Sequence, residues 1–248
     1  MLTIGMGVDM QPPDPRPIDN GFKAFKMTHC CHQALTRNRR QVMQNPSEHW
    51  ENIYQTKQAD SVSWFQEHAL RSLEIIRAIG APMDAHIIDV GGGASTLVDD
   101  LLDDGYRQVS VLDLSASALE VAHKRLGTKG NAVSWIAGDI RDVNLPDQAY
   151  DIWHDRAVFH FLIDPADRAA YVRQVMKAVK PGGHVIVATF APDGPEQCSG
   201  LPVARYAPDQ LHREFGPIFD LIEHTSEAHK TPWGAVQHFV YCHCLKPH

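Results

Sequence analysis

The sequence predicts a doubly wound α/β fold, and three observations carry that prediction. Strand-like and helix-like runs alternate from about residue 86, three consecutive glycines join the first strand to its helix, and two strand-like runs close the chain. Alternation of this kind builds a mostly parallel sheet with helices on both faces. The closing runs, Phe219 to His224 and Ala235 to Leu245 about Pro232-Trp233-Gly234, make the last strand antiparallel.

At 248 residues the chain suits one large α/β domain with a full core. Residues 1–45 differ from the rest. Pro12, Pro13, Pro15 and Pro17 among Asp and Gly mark a flexible or accessory extension. Arg16, Lys23, Lys26, Arg37, Arg39 and Arg40 against Asp9, Asp14 and Asp19 leave that segment at +3, and the total of −7 puts −10 on the remainder. Met27 and Met43 are alternative starts. His29-Cys30-Cys31-His32 has ligand-type side chains, but adjacent residues splay poorly around a tetrahedral ion, so no metal is expected.

Residues 46–248 form the predicted domain, and 46–80 its amino-terminal helical segment. Helical spacing starts at Ser47 and returns in Phe65, Ala69, Leu73 and Ile76, ending at Gly80-Ala81-Pro82. Ser115 opens a helix reaching Leu126, with Ser117 and Glu120 spaced as a capping box. Asp164-Pro165 caps another helix, with Val172, Val175, Met176 and Val179 on its apolar face. Pro208 to Phe215 is the last.

The chemistry centres on Ile87-Ile88-Asp89-Val90-Gly91-Gly92-Gly93-Ala94-Ser95. Glycines there let the backbone turn sharply and approach a ligand, and the following helix start offers free amides. The dinucleotide fingerprint needs a third glycine where Thr96 stands, so a nicotinamide dehydrogenase is disfavoured. Asp113 ends the second strand, where a carboxylate suits two ribose hydroxyls. Asp139 follows the third, placed to accept from an adenine amine. Surface acids capping helices are the plain alternative for all three.

With those residues in place, the chain resembles the class I S-adenosylmethionine-dependent methyltransferases over roughly residues 48 to 245. Five segments stand in that family's order: IIDVGGGAS, VSVLDLS, WIAGDI, AYDIWHDRAVFHFL and VKPGGHVIVATF. The resemblance implies a Rossmann-like, mostly parallel seven-stranded sheet with an antiparallel last strand, S-adenosylmethionine as cofactor and S-adenosylhomocysteine as product. It implies a cofactor site of Tyr54, Trp64, Asp89, Gly91, Gly92, Gly93, Asp113, Leu114, Asp139, Ile140 and His154. Asp89 is expected to hold the glycine loop or the methionine amine. Trp50, Tyr54, Trp64 and Phe65 are equally the apolar face of their segment or a lid over the site. An aromatic lid would attract the sulfonium cation.

Methyl transfer from a sulfonium needs aim and water exclusion, and a base only where the acceptor arrives protonated. His154, Asp155 and His160, at and after the fourth strand, are the candidates for orienting or deprotonating it, and Asp155-Arg156 is equally a local ion pair. Arg205, in the Pro/Gly-rich segment after the fifth strand, is a candidate for an acceptor carboxylate. Cys198 lacks the clustered partners that arsenite chemistry uses, and Cys242 and Cys244 are expected in the core. The expected function is methyl transfer to a small molecule or a protein side chain. The alternative is a non-catalytic S-adenosylmethionine-binding protein acting through protein contacts.

The negative balance argues against nucleic acid and anionic membrane as partners. No apolar run approaches the roughly 20 residues that span a bilayer. The amino terminus has no secretory pattern and the five cysteines are scattered, so the expected setting is cytoplasmic. Acceptor identity and oligomeric state are not written in the sequence.

Overall fold

The computed structural model describes residues 46–248. The expectations for residues 1–45, the His-Cys-Cys-His pattern among them, lie outside the described residues. Helix α1 (Pro46–Thr56) comes first. Residues 57–69 follow as turns, with Phe65 N–H bonded to the Val62 carbonyl at 3.2 Å, before α2 (Leu70–Ile79). The helical spacing read from Phe65 therefore begins one turn too early. The stop is as read: Gly80 caps α2 with φ 67°, a left-handed conformation that costs glycine little.

The remaining elements alternate: β1 (His86–Val90), α3 (Leu97–Asp103), β2 (Gln108–Asp113), α4 (Ala116–Leu126), β3 (Ser134–Ala137), β4 (Tyr150–Arg156), α5 (Pro165–Ala178) and β5 (Val179–Phe190). A two-stranded hairpin, β6 (Gln197–Cys198) and β7 (Leu201–Pro202), precedes α6 (Pro208–Phe215). The chain closes with β8 (Asp220–Lys230) and β9 (Val236–Leu245). The main sheet has seven strands in the order β3-β2-β1-β4-β5-β9-β8, all parallel except β9, which is antiparallel to both neighbours. Strand order reverses between β1 and β4, the place where open α/β sheets receive ligands.

Period-two alternation splits the core between the two faces of the sheet. Ile88, Trp153, Val185 and Val187 pack toward Tyr171 and Val175 of α5. Ile87, Ile152 and Ile186 pack toward Leu73 and Ile76 of α2 and Leu97 and Leu101 of α3. Each fully buried side chain of this size is worth roughly 1.5–3 kcal/mol of apolar burial. Cys242 and Cys244 lie in the core, as read.

Asp164 caps α5, accepting from the Ala166 amide at 2.8 Å. At α4 the cap is Ser115, whose Oγ accepts from the Ala118 amide at 3.1 Å. The expected Ser117–Glu120 box does not form, because Ser117 lies inside the helix and bonds outward to Glu51. No helix among the described residues is long and apolar enough to cross a membrane.

Candidate active site

The glycine loop after β1 explains its own composition. Gly91 and Gly93 have φ of 71° and 40°, where other residues are strained. Gly92 has another reason: a Cβ there would stand 2.5 Å from Asp89 Oδ2 and 2.6 Å from Val111 Cγ1. A Cβ on Gly93 would stand 2.7 Å from Asp113 Oδ2 and 3.3 Å from Tyr54 Oη. The bare loop thus keeps two carboxylates and a phenol close together.

A cleft opens beside the loop at the carboxyl ends of β1 and β4. Asp89, Gly91, Gly92, Ala94 and Thr96 form one wall, Tyr54, Val62, Trp64 and Phe65 an aromatic and apolar second wall, and His154 and Arg156 the far end. Trp50 meets Trp64 edge to face with ring centroids 5.6 Å apart, and Tyr54 lies 6.4 Å from Trp64. Burial, with the Asp113 charge adding, raises the Tyr54 phenol and keeps it protonated.

Asp89 and His154 are register partners on β1 and β4, so their side chains share a face. Asp89 Oδ1 lies 2.7 Å from His154 Nδ1, and His154 Nε2 lies 2.8 Å from Ser72 Oγ on α2. Both ring nitrogens are thereby engaged. Asp89 Oδ2 is buried without a partner among the described residues. Asp113 Oδ1 accepts from the Ser115 amide at 2.8 Å. Burial chiefly, with the Asp89 and Glu51 charges, pushes Asp113 up to about 7 against the pull of that amide.

Three of the expected acceptor-side residues are placed elsewhere. Asp155 points to the opposite face, fully buried, where it accepts from Tyr171 Oη at 2.6 Å and from the amides of Val158 and Phe159. Burial pushes it up to about 7, and its bonds close the turn after β4. His160 is fully buried between Phe161 and Phe190, with neither ring nitrogen partnered among the described residues. Burial, with the Arg156 charge, drives it down to about 3. Arg205 pins its own loop, donating to the Gly194 carbonyl at 3.2 Å and to Glu196 at 3.0 Å.

Two expected cofactor contacts are engaged within the protein. Asp139 takes Arg141 bidentately, and although burial opposes it, those bonds hold the acid below its usual range. Ile140 sits in the core cluster with Leu112 and Leu145. Leu114 lies by the loop, its carbonyl accepting from Ser47 Oγ at 3.2 Å.

Arg156 was the residue the sequence underrated. A local ion pair with Asp155 was one of the two readings, but Arg156 pairs with Glu227 of β8 at 3.2 Å, bonds Tyr241 Oη at 3.1 Å, and stands 4.1 Å over the Phe239 ring. Strand alternation was the available signal. It puts His154 and Arg156 on one face of β4 and Asp155 on the other.

Residues 87–183 match the methyltransferase domain family. The chain is 31% identical over 122 residues to a ubiquinone biosynthesis O-methyltransferase of Serratia proteamaculans, covering 49% of each chain. It is 34% identical over 112 residues to a malonyl-[acyl-carrier protein] O-methyltransferase of Halalkalibacterium halodurans, covering 43% of this chain and 40% of that one. It spans about half the length of the first of these relatives and less of the second. Among solved structures, an S-adenosylmethionine-dependent methyltransferase from Anabaena variabilis superposes with TM-score 0.63 at 16% identity, over 82% of this chain and 96% of that one. One from Methanosarcina mazei gives 0.60 at 15%, over 69% and 97%.

The chain has the class I S-adenosylmethionine-dependent methyltransferase fold, with its Rossmann-like seven-stranded sheet. The residues present fit that cofactor on two observations. The unpartnered Asp89 Oδ2 suits an ammonium group, and the missing Cβ of Gly93 leaves Asp113 Oδ2 room for a ribose hydroxyl.

Proposed function

We propose that the chain transfers a methyl group from S-adenosylmethionine to a small-molecule or protein acceptor by in-line displacement. The observation that carries this reading is the bare glycine loop with Asp89 against Gly92 and Asp113 against Gly93, beside the aromatic Tyr54 and Trp64. The donor brings an already activated methyl. Asp113 would accept from the ribose hydroxyls and Asp89 from the methionine ammonium, with His154 and Ser72 holding Asp89 in place. Gly91, Gly92 and Gly93 let the backbone approach. Tyr54 and Trp64 would cover the sulfonium and exclude water.

The excess of acid over base supports an acceptor other than nucleic acid. Three free cysteines among the described residues, Cys198, Cys242 and Cys244, are in keeping with a cytoplasmic setting.

Calorimetric titration with S-adenosylhomocysteine tests the cofactor half of the proposal. Asp113→Ala should lose about 1–3 kcal/mol of affinity, the worth of hydrogen bonds to a charged acceptor. Unchanged affinity would remove Asp113 from the ribose role. A tritiated-methyl screen of metabolites and proteome extract, separating small from large products, tests the transfer half.

A further inference from the structure

We propose, building on the transferase reading above, that the acceptor enters the cleft already ionised, as a carboxylate or thiolate, and that Arg156 receives it.

The first argument is that no side chain in the cleft is fitted to take a proton from the acceptor. Among the described residues its titratable lining is Tyr54, Asp89, His154 and Arg156. His154 has one ring nitrogen on Asp89 and the other on Ser72. Tyr54 stays a phenol. The free oxygen of Asp89 lies against Gly92, and a carboxylate is a poor base for an alcohol or an ammonium group. A guanidinium is never deprotonated.

The second argument concerns what the far end of the cleft leaves unsatisfied. Glu227 is engaged at both oxygens: its Oε1 takes Gln66 Nε2 at 2.5 Å, and its Oε2 takes Arg156 Nε, Arg156 Nη2 and Tyr241 Oη. Among the described residues Arg156 has only those bonds, Tyr241, and one carbonyl, that of Trp64, at 3.5 Å, which leaves N–H groups on Nη1 and Nη2 to spare. The open capacity that Arg156 brings to the cleft is therefore N–H donors, which a charged acceptor meets with the stronger hydrogen bonds. The other titratable groups around Arg156 do not compete. His229 bonds the Ser63 carbonyl at 2.7 Å, burial raises Cys198, and His160 is enclosed.

The step balances without a proton. The acceptor's lone pair forms a bond to the methyl carbon as the carbon–sulfur bond breaks, and that bond's electrons return to sulfur. An anion and a sulfonium become two neutral products, a change that a dry cleft favours.

The test offers 4-nitrothiophenol, thiophenol, benzoate, benzyl alcohol and benzylamine to the full chain, with tritiated donor and a small-molecule extract alongside. The expected result is transfer to thiolate or carboxylate acceptors. The pH inflection should move with the thiol's own ionisation when thiophenol replaces 4-nitrothiophenol, in the parent and in His154→Gln alike. Arg156→Gln should raise the acceptor KM about 10-fold or more while S-adenosylhomocysteine binds within about twofold, with partial rescue in Arg156→Lys. Methylation of an alcohol or amine, or one fixed inflection lost in His154→Gln, would overturn the inference alone. So would an Arg156→Gln variant that loses cofactor affinity at unchanged KM. The thiol pair needs no variant, so it decides even if Arg156→Gln does not fold. If neither probes nor extract are methylated while S-adenosylhomocysteine binds, the transferase reading falls and this one with it.

Discussion

Glu51 of α1 caps a helix whose N-cap, Ser115, lies 64 residues later. Its Oε2 accepts from Ser115 Oγ at 2.7 Å and from the Ser117 amide at 3.3 Å, and its Oε1 accepts from Ser117 Oγ. Negative charge at a helix start is favourable, and here it fastens α1 beside Asp113.

The hydroxyls of Ser117 and then Ser115 hold the Glu51 carboxyl below its usual value of 4.5. A depressed acid stabilises the fold above its unfolded value, and that support is lost as pH falls through the folded one. Glu51→Gln should therefore cost about 0.5–1 kcal/mol at pH 7, the worth of a partly exposed cap. The gap in Tm from the parent should shrink toward pH 3. A constant gap would show that the charge is idle.

Gly92→Ala should destabilise by about 1–3 kcal/mol through overpacking against Asp89 and Val111. Denaturant unfolding measures it. If stability holds and only cofactor affinity falls, the middle glycine serves the ligand rather than the loop.

His154→Gln should lower S-adenosylhomocysteine affinity and turnover together, because the imidazole holds Asp89. Titration and rate are compared on one preparation. A loss of roughly 10²–10⁴ in turnover at unchanged affinity would instead make His154 the base.

His160→Phe should raise stability by about 1–3 kcal/mol, since the buried ring has no hydrogen-bond partner among the described residues. Between about 3 and 6.5 the unfolded chain carries a proton there that the native chain refuses, so stability is lost as pH drops below 6.5. The gain over the parent should be larger at pH 5.5 than at pH 8. Asp113 and Asp155, both pushed up to about 7, tilt the curve the other way, so each variant is compared with its parent at the same pH. An equal gain at both pH values would show that His160 ionises in the native state.

The strands, the helix caps at Ser115 and Asp164 and the glycine loop were legible because each is a local pattern of a few residues. The Asp89–His154 pairing required the β1–β4 register, which no local pattern states. Arg156 was harder still. Its partner Glu227 lies 71 residues away on a strand whose register shifts between Leu221 and Glu223. The Asp139–Arg141 pair went unread for a simpler reason. Arg141, two residues on, competes for the same carboxylate, and spacing alone does not say which partner wins.

The edge-to-face contact of Trp50 with Trp64 makes the lid its own optical label. Of the five indoles in the chain, Trp153 is sealed in the core and Trp135 and Trp233 stand outside the cleft lining, while this pair straddles the covering segment. Any displacement of residues 57–69 changes the separation of two emitters now 5.6 Å apart. Intrinsic fluorescence therefore reports any such displacement in real time on the unmodified protein.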